Sequence, residues 1–62
     1  MDSAYIGQRV YGIYGRLNNG NSMKVIKVDS NEHEAECELD NGETTWQSID
    51  NLQSSPPSEF KL

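Results

Sequence analysis

The residues best suited to chemistry in this sequence stand in one alternating run. Glu32, Glu34, Glu36, Glu38 and Asp40 occupy every even position from 32 to 40, with Ala35, Cys37 and Leu39 between the last four. A period of two is the signature of a strand with one wet face and one buried face. Carboxylates two residues apart on a strand stand roughly 6.6–6.8 Å apart. That is the order of spacing of a phosphate row, so the run predicts an acidic surface that could meet a basic partner. Adjacent carboxylates repel by roughly 0.6 kcal/mol in bulk water, a cost with no folding benefit unless cations lie opposite. Lys24 and Lys27 are the cations expected there, which leaves three carboxylates without a counter-charge. The alternative is an ordinary solvated face that keeps a sheet from aggregating.

Other chemistry is thin. His33 is the only histidine and stands between glutamates whose side chains point to the opposite face of a strand, so no metal site is expected. Cys37 shares parity with Ala35 and Leu39, which predicts a buried, inert thiol. A single cysteine allows no intramolecular disulfide. No serine has a convincing partner base, and no glycine-rich loop opens a helix. The expectation is a protein that is not an enzyme and that needs no cofactor.

Length and charge limit the rest. Sixty-two residues make one domain with a small core, and the net charge is −5. Aliphatic residues and Phe occupy twelve positions, close to the composition at which chains stop folding alone. Trp46 and one tyrosine are therefore expected to fill core volume, with a partner or self-association steadying the domain. Net acidity disfavours direct nucleic-acid binding, despite Arg9, Arg16, Lys24 and Lys27. Neither a signal peptide nor a membrane-length apolar run is present, so a complete, small cytoplasmic protein is expected.

The elements that must position these residues read as short strands. Arg9–Tyr14 predicts strand one, and the polar stretch 17–22 a loop in which Asn19-Gly20 takes positive φ. Ser22–Val28 predicts strand two, but Met23 and Val25 differ in parity from Ile26 and Val28. A bulge near Val25-Ile26 would reconcile them. Asp29-Ser30-Asn31 predicts a polar turn, and the acidic run is strand three. Asn41-Gly42 predicts a two-residue type I′ hairpin into strand four, Glu43–Gln47. A helical turn over 48–52 and a brief last strand follow. Residues 1–53 form the domain, and 54–62, with Pro56-Pro57, a flexible tail.

The runs Val10–Tyr14, Met23–Ser30 and Glu36–Gly42, with Trp46 and Ile49–Leu52, resemble an SH3-like barrel of the Tudor type. They are also similar to small bacterial proteins carrying this barrel pattern. The resemblance spans residues 8–53 and implies an all-β barrel of four to five strands. Tudor-type barrels read methylated lysine or arginine with a cage of aromatic faces. Tyr14 matches one cage position, and Tyr11 and Trp46 are the other aromatics at hand. Asn, Met23, Leu39 and Thr45 stand where the family has further aromatics. Two functions follow as expectations: a small regulator that docks a basic protein through the acidic face, or a peptide reader using Tyr11, Tyr14 and Trp46. A structural subunit that completes a larger assembly is a third.

Overall fold

The alternation of apolar and polar residues produces five short antiparallel strands in a computed structural model that describes residues 1–57. They are β1 (Arg9–Gly12), β2 (Met23–Asp29), β3 (Glu34–Glu38), β4 (Thr44–Ser48) and β5 (Leu52–Gln53), in the spatial order β4-β3-β2-β1-β5. The remaining regular structure is three 3₁₀ turns, Ile13–Gly15, Asn18–Gly20 and Ile49–Asn51. Among the described residues no helix is long and apolar enough to cross a membrane.

The expected bulge is present. Val25 pairs with Cys37 and Lys27 with Glu36, so Ile26 is the extra residue. The insertion lets Met23 and Val25 point inward before it, and Val28, opposite Ala35, point inward after it. The polar turn also forms, with Asp29 Oδ1 accepting from the backbone N–H groups of Asn31 (3.0 Å) and Glu32 (3.2 Å).

Strand one is shorter than its composition suggests. It ends at Gly12, where a Cβ would lie 2.0 Å from the Arg16 carbonyl oxygen, so only glycine fits. The chain then turns through Tyr14 (φ 61°) and Gly15 (φ 73°). A type I′-like turn does occur, but at Asn18-Asn19 (φ 50° and 55°), closed by Gly20 N–H to Leu17 C=O at 2.9 Å.

The strand order forces the sheet to curl. In a flat five-stranded sheet, β4 and β5 would lie roughly 19 Å apart across four inter-strand gaps. The chain from Ser48 to Leu52 spans at most about 14 Å even when extended, and a 3₁₀ turn spans less. Curvature is concentrated in β1, whose first half pairs with β2 (Val10 with Met23) and second half with β5 (Gly12 with Leu52). No ladder joins β4 to β5, so the curled sheet stays open. Its concave side holds the core of Val10, Met23, Val25, Ala35, Cys37, Ile49 and Leu52. The Met1 ammonium group donates to the Ile49 and Leu52 carbonyls, at 3.2 and 3.0 Å, across the open seam. Of the predicted tail, Ser54 to Pro56 are exposed and Pro57 is buried. Residues 58–62 lie outside the described residues.

Candidate functional site: the outer face of β3 and β4

Antiparallel registration assembles the candidate residues, because directly opposed residues share a face. On the outer face Glu34 lies between Asp29 and Ser48, Glu36 between Lys27 and Trp46, and Glu38 between Lys24 and Thr44. Arg9, opposite Lys24, extends the last of these rows. In the Glu36 and Glu38 rows the face therefore grades from cations on β1 and β2, through carboxylates on β3, to an uncharged β4, whereas Asp29 adds a second carboxylate beside Glu34.

The predicted row of five carboxylates is shortened to three. Glu32 lies in the turn before β3 and Asp40 in the turn after it. Asp40 is engaged by the 18–21 loop: its Oδ1 accepts from Asn18 Nδ2 (3.2 Å), and its backbone N–H donates to Asn18 Oδ1 (3.0 Å). Glu36 lies under its neighbours, its side chain 15% exposed and 3.9 Å from Lys27 Nζ. Lys24 and Lys27 do lie opposite the carboxylates, as expected. Among the described residues Glu34 and Glu38 form no ion pair, although Glu38 faces Lys24.

Trp46 is not in the core. It is 47% exposed and shares the outer face with Glu36. The hairpin explains this. Asn41 does not take positive φ; only Gly42 does, at 88°. The loop has three residues, 40–42, closed by Leu39 N–H to Glu43 C=O (2.8 Å) and Gly42 N–H to Leu39 C=O (3.1 Å). The Asn41 side chain accepts from the Glu43 N–H at 2.9 Å. A two-residue loop would have set Trp46 opposite Cys37, facing inward; the third residue turns it outward.

The other aromatics lie elsewhere. Tyr11 is half-buried on β1 opposite Gln53. Tyr14, 57% exposed, has the Arg16 guanidinium 5.6 Å from its ring centroid. The groove beside Trp46, about 480 Å³, is lined by Ile6, Lys27, Val28, Asp29, Ser30 and Asn31 and by no tyrosine. Ile6, 68% exposed, adds an apolar side chain to the groove beside Trp46. His33 is on the surface, its Nε2 3.1 Å from Asp50 Oδ1. Cys37 is buried, and burial, with the Glu36 carboxylate adding, pushes its thiol pKa up. Set against known proteins, the chain matches no family model, no curated protein and no solved structure.

Proposed function

We propose that this protein is a non-catalytic binding module, a small regulator or inhibitor that docks a basic protein segment on the outer face of β3 and β4. The observation that carries the reading is Trp46, an exposed indole on the face that also bears Glu34, Glu36 and Glu38. A folding domain short of apolar residues gains nothing by leaving its largest side chain in water. An arginine or lysine seated on the indole gains cation–π attraction, and Glu34 and Glu38 supply charge on either side. Glu36, already paired with Lys27, holds the indole's flank rather than meeting the ligand. The curl forced by the short β4–β5 connection supports an SH3-like barrel of Tudor type as the scaffold; a cytoplasmic setting is part of the same proposal.

The test is titration of a lysine- and arginine-rich peptide, followed through Trp46 fluorescence at several salt concentrations. The variant Glu34→Gln/Glu38→Gln weakens binding several-fold and flattens the salt dependence. Unchanged affinity and salt slope in that variant would reject the acidic docking face.

A further inference from the structure

The two free edges of the sheet are unlike. Strand β5 has two residues and runs on to Pro56-Pro57, so shortness and proline blunt it. Strand β4 has five residues, Thr44-Thr45-Trp46-Gln47-Ser48, with no charge, no proline and no bulge against β3. These residues favour extended structure, and among the described residues nothing pairs with the outer side of β4.

The hydrogen-bond phase of that edge is set by its two ends. Leu39 N–H donates to Glu43 C=O, and Ile49 N–H to His33 C=O. In an antiparallel ladder the bonded pairs recur every second residue. Residues 43, 45, 47 and 49 therefore turn their backbone groups toward β3, and Thr44, Trp46 and Ser48 turn theirs outward. The outward set is centred on Trp46.

We propose that β4 pairs antiparallel with β4 of a second copy of this chain, across a two-fold axis at Trp46. That axis sets Trp46 against its own counterpart and Thr44 against Ser48 at both ends. All three outward N–H groups and all three outward carbonyls of each copy then find partners. The two indoles become direct cross-strand neighbours on the outer face, a favoured aromatic pair. A second copy suits this edge better than a charged strand, because β4 offers no side-chain charge to recognise one. The net charge of −5 on each copy opposes association. However, the nearest carboxylates on the face stand one strand back from the axis, more than a Debye length from their counterparts at physiological salt. An interface made of one strand edge is at the small end for protein pairs, so the dimer is transient and seen at high concentration.

Sedimentation of the full chain from micromolar to millimolar concentration gives a mass rising from 7.0 kDa toward twice that value and no further. Thr44→Pro removes an outward N–H that β3 does not use, and Trp46→Lys sets a charge on the axis. Both remain at the monomer mass. Amide hydrogen exchange gives a reading that needs no variant: slowing with concentration at Thr44, Trp46 and Ser48, and none at Thr45 and Gln47. A wild-type chain monomeric throughout, assembly beyond two copies, or association without that alternating protection overturns the proposal. An unchanged rise in mass with concentration for Glu34→Gln/Glu38→Gln, whose substitutions lie on β3 and not on the paired edge, keeps this result separate from the docking face.

Discussion

Cys37 shows what a single side chain carries in so small a core. It is fully buried, and both burial and the adjacent Glu36 raise its pKa above the ordinary 9.0. The unfolded thiol ionises near that value and the folded one higher, so ionisation favours the unfolded chain. The stabilisation is whole below about pH 9 and is lost as pH rises through the folded value. Cys37→Ala, less stable at neutral pH, should close the gap to wild type in urea melts as pH climbs above 9; a constant gap would contradict this. The inward parity of Ala35 and Cys37 is legible from alternation, and the outward position of both Lys24 and Lys27 from alternation together with the bulge between them. The cover over Glu36 is not, because it depends on which residue of β4 stands opposite.

At the scale of the element, one loop residue decides that question. Asn-Gly announces a tight hairpin, but two- and three-residue loops differ by a flip of every side chain on the following strand. The local bond from the Glu43 N–H to the Asn41 side chain is too subtle a signal to separate them beforehand. The bulge at Ile26 was readable because four apolar residues of clashing parity demanded it; no such conflict marks β4. Glycines test these local geometries. At Gly12 a methyl group would strike the Arg16 carbonyl, whereas at Gly42 it would meet nothing within 4 Å and suffer only from φ of 88°. Gly12→Ala should therefore cost about 3 kcal/mol or more. Gly42→Ala should cost about 1–2 kcal/mol, both measured by denaturant unfolding. Equal costs would mean that the approach of Arg16 to β1 does not constrain the fold.

At the scale of the molecule, an all-β chain of short strands was legible from spacing and turn residues, but the strand order was not. Periodicity says which face is buried and nothing about which strands are neighbours. The order places β1 between β2 and β5, and that position has a kinetic consequence. Strands β2, β3 and β4 form a meander of near neighbours, joined by short turns that close quickly. The β1–β5 pairing joins Tyr11 to Gln53, and must wait for the longest loop closure of any strand pairing among the described residues. The meander thus belongs to the folding nucleus, and β5 locks late. Leu52→Ala, at a residue 1% exposed, should cost about 2–5 kcal/mol. That loss should appear as faster unfolding with little change in the refolding rate. Val25→Ala, in the meander, should slow refolding instead. Stopped-flow chevrons of the two variants would show whether the seam between the first strand and the last is where this protein begins to come apart.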